Sequence, residues 1–203
     1  MVTQEEALAA CEACNSGSQW DTKALTRLLE NGWDINSILR RSEDALSIAI
    51  CSNKLPLVQF LLDHGADPDA NLRGDTYSAL EKAALVSAHE MIFTLLLRHR
   101  AVVRGPSAML IAAQAGRIDV VAQLVEAGGE VNALPDLNTV NENVRYRAEW
   151  GTPLHGAAGR GWTGIIRYLL SKGASPYIRN YTGLTPKQVA EQSRHEECAK
   201  LLK

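Results

Sequence analysis

One pattern recurs five times along the chain: a run of apolar residues with helical spacing ends at a glycine-like position followed by a turn. These positions are Gly32, Gly65, Arg100, Gly128 and Gly173, and the gaps between them are 33, 35, 28 and 45 residues. Glycine at a helix end adopts the left-handed conformation that lets the last carbonyls be satisfied, and Arg100 is the one departure. The spacing predicts a repeated unit of about 33 residues, a period typical of stacked repeats.

A second, alanine-rich helix is predicted in front of these runs. It opens on residues that can accept a first-turn N–H. These residues are Asp44, Ser78, Ser107, Thr152 and Thr185, and Thr3 with Glu6 forms a similar capping box at the start of the chain. One helix pair cannot bury its apolar stripe alone, so successive pairs must stack. The sequence therefore predicts an all-α repeat solenoid.

The composition favours a helical protein. Among 203 residues there are 27 alanines and 26 leucines but only 5% aromatic residues, which argues against a β-sandwich. A net charge of −2 does not fit the basic face of a nucleic-acid binder. No apolar run reaches the roughly 18 residues that cross a bilayer, and no secretory signal is visible. We expect a cytoplasmic or nuclear protein with four reduced cysteines.

The segment from Thr152 to Ala158 reads TPLHGAA and resembles the TPLHxAA motif of ankyrin repeats. The resemblance covers nearly the whole chain and implies one domain of stacked helix-turn-helix pairs with β-hairpin fingers. Six repeats are expected, at about 1–36, 37–70, 71–104, 105–133, 147–178 and 179–203. The resemblance also implies that His155 bonds to a neighbouring loop, and that Asn36 and Asn132 match hairpin asparagines that hydroxylases modify.

The largest departure from the repeat is an insertion at residues 134–149. It lies where the resemblance implies a finger, so this finger is expected to reach beyond the others. The insertion contains Arg145, Tyr146 and Arg147 and is followed by Trp150. These residue types are enriched at interface hot spots. The alternative is a tolerated loop insertion in which Trp150 covers the edge of the repeat.

The resemblance also implies which inner-helix positions face the groove. In the third repeat these are Leu85 and Val86, which we interpret as an apolar anchor for a partner. The alternative is that this degenerate repeat packs differently there. Aromatic residues at the fingertips, partly exposed, would add contacts along the concave side. The predicted partner contacts are Tyr77, Leu85, Val86, Arg145, Tyr146, Arg147, Trp150, Arg160 and Tyr181.

These features favour a non-catalytic protein–protein interaction module, or adaptor. We expect a monomer that binds another protein, either a folded domain or a peptide, through its concave face and extended finger, because a rigid surface loses little entropy on binding. No cofactor, nucleic acid or membrane is expected as a partner. The alternative is an unusual enzyme or small-molecule binder that uses the groove beside the long finger. A concave pocket on which Glu81, His155 or Arg160 converges would indicate it.

No catalytic or metal-binding set is predicted. Cys11 and Cys14 have the CxxC spacing of redox and zinc sites, but they lie in an alanine-rich helix and no second pair supplies ligands. Glu81 occupies the histidine position of the motif in the third repeat. It is either an acid–base candidate or, more simply, a capping or ion-pairing residue. Trp33 is expected to pack, and Trp162 replaces the usual histidine after Gly161.

Overall fold

The computed structural model of the chain describes residues 2–16, 22–40, 43–70, 77–103, 107–135 and 150–203. The chain divides into two compact units, Met1–Val102 and Val103–Lys203. The described residues of each unit form six helices that pack as successive pairs. This arrangement confirms the predicted all-α repeat architecture, and the prediction of one domain stays a prediction.

The first unit contains three helix pairs and one short β-ladder. Its inner helices are α1 (Gln4–Ser16), α3 (Ala45–Cys51) and α5 (Ala79–Leu85), and its outer helices are α2 (Lys23–Glu30), α4 (Leu55–Asp63) and α6 (Glu90–Arg98). Helix α3 packs between α1 and α5, and α4 packs on α6. Strands β1 (Ile38–Arg40) and β2 (Glu43–Asp44) are antiparallel, with Ile38 opposite Asp44. Elsewhere in the described ranges the expected fingers contain turns without a ladder.

The second unit repeats the same arrangement. Its inner helices are α7 (Ser107–Gln114), α9 (Pro153–Arg160) and α11 (Pro186–Gln192), and its outer helices are α8 (Ile118–Glu126), α10 (Thr163–Ser171) and α12 (Glu196–Leu201). Helix α9 packs between α7 and α11, and α10 contacts both α8 and α12. A Cβ on Gly156 would lie 2.7 Å from Leu110 Cδ1 and 3.2 Å from the Leu110 carbonyl oxygen. The close approach of α9 to α7 therefore depends on the missing side chain.

The helix ends confirm the repeat signal. All five predicted positions after the outer helices have a positive φ, which ranges from 63° at Arg100 to 93° at Gly65. Arg100 keeps the left-handed conformation although an L-residue with a Cβ is strained there. A second series follows the inner helices, with positive φ at Asn53, Ser87, Gly116, Gly161 and Arg194.

The predicted helix starts are also confirmed where the structure describes their contacts. Asp44 Oδ1 accepts a hydrogen bond from the Ser47 N–H at 2.7 Å. Ser78 with Glu81, and Thr185 with Gln188, exchange the reciprocal bonds of a capping box. Thr3 and Glu6 do the same at the start of α1. Local polar residues thus set where these helices begin.

A ladder of side-chain hydrogen bonds links each finger to the next within a unit. The side-chain oxygens of Asn36 and Asp69 accept the backbone N–H groups of Asp67 and Val102, both at 2.8 Å. Asn132 makes the same bond to the Ser175 N–H at 2.7 Å and also donates to the Gly173 carbonyl at 3.0 Å. The sequence singled out two of these residues for a modification, whereas the structure shows them holding neighbouring repeats in register.

Candidate functional site

The C-terminal ends of α3 and α5 form an exposed patch on the first unit. Helix α5 buries Ala79, Leu80, Ala83 and Ala84, yet the next two side chains are at the surface. Leu85 is 48% exposed and Val86 is 38% exposed. The corresponding residues of α3, Cys51 and Ser52, are exposed as well. We call these four residues, Cys51, Ser52, Leu85 and Val86, the inner-helix patch.

Charged side chains stand beside the inner-helix patch. Lys82 Nζ donates to Ser47 Oγ at 2.6 Å and so links α5 to α3. The Arg40 guanidinium on strand β1 lies 3.3 Å from the Glu12 carboxylate on α1 and 3.1 Å from the Glu43 carboxylate on β2. It therefore links the two-stranded β-ladder to α1. An apolar centre with a charged surround is the arrangement found at many protein interfaces.

The Cys51 thiol is not an activated nucleophile. Partial desolvation of its sulfur raises its pKa, and the nearby Glu43 carboxylate raises it further. The thiol is therefore protonated at neutral pH, and Cys51 contributes a small, weakly polar surface to the patch.

Two further residues singled out in the sequence lie at the start of α5: Tyr77 just before the helix and Glu81 in its first turn. Tyr77 is half-buried. Glu81 Oε2 accepts the Ser78 N–H at 2.8 Å, and the Ser78 hydroxyl oxygen accepts the Glu81 N–H at 3.2 Å. Glu81 is thus a capping residue, which is the simpler of the two interpretations of its sequence position.

In the second unit, the structure places two predicted contact residues at the surface. Arg160 is exposed at the end of α9, and Tyr181 is exposed in the last finger. The Tyr181 hydroxyl donates to the Pro135 carbonyl and so ties this finger to the start of the insertion. Arg145, Tyr146 and Arg147 lie outside the described residues.

Trp150 differs from the expectation of a partly exposed aromatic residue. It is only 5% exposed, so the expectation of partial exposure is wrong for this residue. Its indole N–H is buried and has no hydrogen-bond acceptor among the described residues. The next residue, Gly151, is tightly packed. A Cβ added to it would lie only 2.8 Å from Asn180 Cβ and from His155 Cγ. The ring therefore belongs to the packed edge of the repeat.

Two other tryptophans also have structural contacts. The Trp162 indole N–H donates to the Gln114 carbonyl at 3.1 Å, and its ring covers Gly116, where a Cβ would lie 2.7 Å from the ring. Trp162 therefore occupies the usual histidine position and hydrogen-bonds to the preceding repeat. Its side chain is still partly exposed. Trp33 is buried and donates to Ser37 Oγ at 3.1 Å, as its predicted packing role requires.

His155 is fully buried and both of its ring nitrogens are engaged. Nδ1 accepts the Thr152 N–H at 3.1 Å, and Nε2 lies 3.0 Å from the Leu184 carbonyl. Burial lowers its pKa to about 4. The bond to the Leu184 carbonyl confirms the structural role that the resemblance implied. His155 and Glu81 are therefore both engaged in hydrogen bonds within their own units.

Sequence reasoning missed Tyr177, the most exposed large hydrophobic residue among the described residues at 73%. Its hydroxyl donates to the Lys203 carbonyl at 3.1 Å. Earlier repeats carry Asn36, Asp69 and Asn132 at the corresponding finger position. An aromatic residue in place of that polar one was the signal that could have identified it.

The described residues offer no group of three or more metal-ligating side chains. Cys11 and Cys14 are buried thiols inside α1 and are not joined in a disulfide. Burial, with the neighbouring Cys14 and Glu12, raises the pKa of Cys11 to about 12. These thiols are therefore packing residues, as the helical context indicated. Within the same ranges, no helix is both long and apolar enough to span a membrane.

Residues 8–103 and 132–203 match the family model for ankyrin repeats in three copies. The chain is 32% identical over 187 residues to ankyrin repeat protein FPV018 of fowlpox virus (strain NVSL), covering 81% of this chain and 26% of that protein. It is 27% identical over 199 residues to ankyrin repeat protein YahD of Escherichia coli (strain K12), covering 92% of each. The chain spans about a quarter or less of the length of several curated relatives that it matches.

Proposed function

The chain belongs to the ankyrin-repeat family, and we propose that it is a non-catalytic module that binds another protein through its inner-helix ends and its long finger. Ankyrin repeats generally mediate protein–protein contacts, and stacked repeats present extended binding surfaces. The proposed partner is a folded domain or a peptide, and the proposed state of the unbound chain is a monomer in the cytoplasm or nucleus.

The observation that carries this proposal is the exposure of Leu85 and Val86. Every other apolar residue of α5 is buried, so this helix already has its packing contacts without them. Two adjacent apolar side chains at the surface add no stability there, whereas a partner that covers them would remove apolar area from water. The helices beneath are fixed by packing, so little entropy is lost when they bind.

The insertion supplies the second proposed contact. Arg145, Tyr146 and Arg147 have the side-chain types that dominate interface energetics. The start of the insertion is held by the Tyr181–Pro135 hydrogen bond, and the buried Trp150 follows the last residue of the insertion. Both attachments support a role for the insertion next to Tyr181, and Arg160 extends the proposed surface along α9.

The test of the inner-helix patch uses a partner captured with the wild-type chain and then purified. We expect the double variant Leu85→Ala, Val86→Ala to bind it about tenfold more weakly, because truncation of a central apolar anchor costs more than 1 kcal/mol. Met91→Ala is the matched control, since Met91 is a 42% exposed apolar residue of the same unit on outer helix α6. Equal affinities for all three proteins, measured by biolayer interferometry, would overturn the proposal.

The test of the long finger replaces residues 137–149 with a glycine–serine segment of equal length. Binding of the same partner is expected to weaken, and Tyr146→Ala alone is expected to reproduce about half of the lost binding free energy. Trp150 is left unchanged because its burial makes it a stability residue. An unchanged affinity in both variants would remove the finger from the proposed surface.

A further inference from the structure

One position of the inner helices is apolar or glycine in every described repeat except the third, where it is a lysine. It lies four residues after the residue on which the helix opens, so Lys82 stands four residues after Ser78. Its counterparts in the other inner helices are all buried, and they are Ala7, Ile48, Ile111, Gly156 and Val189. Lys82 is half-buried and brings a charge to a place where the other helices pack without one. Because burial of a charge is costly unless a partner compensates it, packing does not account for this lysine.

The Lys82 ammonium has no counterion in the part of the chain that the structure describes. Its Nζ atom donates a hydrogen bond to the Ser47 hydroxyl oxygen at 2.6 Å, and a hydroxyl group carries no charge. The described ion pairs of the first unit involve other cationic side chains. An ammonium group has three N–H donors, so two remain after the bond to Ser47.

The carboxylates at the starts of these helices are engaged by other groups. Glu43 lies 3.1 Å from the Arg40 guanidinium. Asp44 and Glu81 accept backbone N–H groups in the first turns of α3 and α5. Neutralisation of Lys82 therefore requires an acceptor that these residues do not supply.

Lys82 shares a face of α5 with the apolar part of the inner-helix patch. Leu85 and Val86 follow it by three and four residues, and side chains at this spacing are neighbours on a helix, with Cβ atoms about 5–6 Å apart. Both apolar side chains are exposed. The bond to the buried Ser47 fixes the ammonium beside them, so an apolar contact and a charged donor lie next to each other.

We propose that the segment bound by the inner-helix patch carries one carboxylate, which pairs with the Lys82 ammonium beside an apolar side chain that covers Leu85 and Val86. This inference rests on the proposed function and adds the chemistry of the partner segment. A carboxylate complements the charge of the ammonium, and charge-assisted hydrogen bonds are stronger than neutral ones.

The charge of the first unit limits how acidic that segment is. Residues 1–102 contain 14 acidic and 9 basic side chains. An excess of negative charge repels a run of acidic residues, the phosphates of a nucleic acid and the headgroups of an anionic bilayer. A single carboxylate next to apolar residues has the charge that Lys82 requires and adds little to this repulsion.

The test uses two short fluorescein-labelled peptides, each with two adjacent leucines in a serine–alanine background. In one peptide an aspartate precedes the leucines by three residues, which matches the spacing of Lys82 and Leu85, and in the other an asparagine replaces it. Fluorescence anisotropy with the full chain measures both affinities. We expect the wild-type chain to bind the aspartate peptide about fivefold more tightly, which corresponds to a partly exposed ion pair.

Two variants show whether this preference depends on Lys82. Lys82→Met removes the ammonium and keeps a long unbranched side chain, and it is expected to bind the two peptides equally. Each comparison uses one variant with two peptides, so a change in its stability or in the shape of the patch affects both affinities and cancels. Lys23→Met is the matched control, because Lys23 is exposed on outer helix α2 of the same unit, and it should keep the fivefold preference.

Several results would overturn the inference. These are no saturable binding of the aspartate peptide, equal affinities of the wild-type chain for the two peptides, or a preference for aspartate that persists in Lys82→Met. Tighter binding of a polyaspartate peptide, a DNA duplex or phosphatidylserine vesicles would overturn it as well.

The Leu85→Ala, Val86→Ala variant distinguishes this failure from that of the proposed function. It should bind both peptides about tenfold more weakly and keep the preference for aspartate. If this variant loses affinity for the purified partner while the wild-type chain does not discriminate between the peptides, the carboxylate is refuted and the inner-helix patch stands.

Discussion

Arg100 shows how a repeat imposes its backbone on a residue that does not favour it. The other four positions of the series are glycines, and Arg100 has the same left-handed conformation with φ 63°. The spacing of the glycines predicted this position correctly because helix ends depend on local backbone geometry. Hydrogen bonds such as that from the Asp67 N–H to Asn36 could not be predicted in the same way, since they join residues about one repeat apart.

Replacement of Arg100 should reveal the strain. We expect Arg100→Gly to increase the free energy of unfolding by about 1 kcal/mol relative to Arg100→Ala, because alanine keeps the Cβ that is unfavourable at positive φ. Both variants lose the same charge, so their difference isolates the backbone effect. Urea denaturation monitored by circular dichroism measures it, and equal stabilities of the two variants would refute the interpretation.

His155 should make the stability of the chain depend on pH. Its folded-state pKa is lowered to about 4, while an unfolded histidine titrates near 6.5. Between these values the unfolded chain binds more protons, so the stabilisation is complete above about pH 6.5 and is lost as the pH falls towards 4. The full effect is about 3 kcal/mol.

A titration of unfolding midpoints from pH 7 to pH 4 checks this expectation. His155→Gln removes the titrating ring, and its midpoint should fall less steeply over this interval than that of the wild-type chain. Parallel curves for the two proteins would show that His155 does not carry the pH dependence.

At the scale of elements, the fingers are held by contacts that the repeat pattern alone does not reveal. The start of each inner helix could be predicted, because a residue such as Ser78 or Thr185 caps its own helix. The burial of Trp150 could not, because the exposure of a side chain depends on what packs over it rather than on its type. The same holds for Tyr181, whose bond to Pro135 joins the last finger to the start of the insertion.

The finger ladder predicts a graded effect of substitutions at Asn132. Asn132→Ala removes the acceptor for the Ser175 N–H and the donor to the Gly173 carbonyl, so we expect a loss of about 2 kcal/mol in unfolding free energy. Asn132→Asp keeps the acceptor and loses only the donor, and it should be less destabilising. If aspartate proves as damaging as alanine in chemical denaturation, the ladder does not depend on the accepted bond.

At the scale of the whole molecule, the repeat period determines the architecture and leaves the binding surface open. The stacking of helix pairs follows from the apolar stripes, which repeat with the period. The repeat period does not predict the binding surface, because a partner contacts the side chains that are not buried between helices. Leu85 and Val86 could be nominated from their position, yet only the structure shows that both stay exposed while the rest of α5 is buried. The non-catalytic role proposed here rests on that contrast.

Hydrogen exchange of the chain with and without its captured partner tests the central claim most directly. The partner should slow amide exchange in the turns that follow α3 and α5, at residues 52–54 and 86–88, because these turns border the inner-helix patch. The turns after the outer helices α4 and α6, at residues 64–66 and 99–101, should exchange at unchanged rates. Protection confined to the outer-helix turns, with no change beside Leu85 and Val86, would contradict the account.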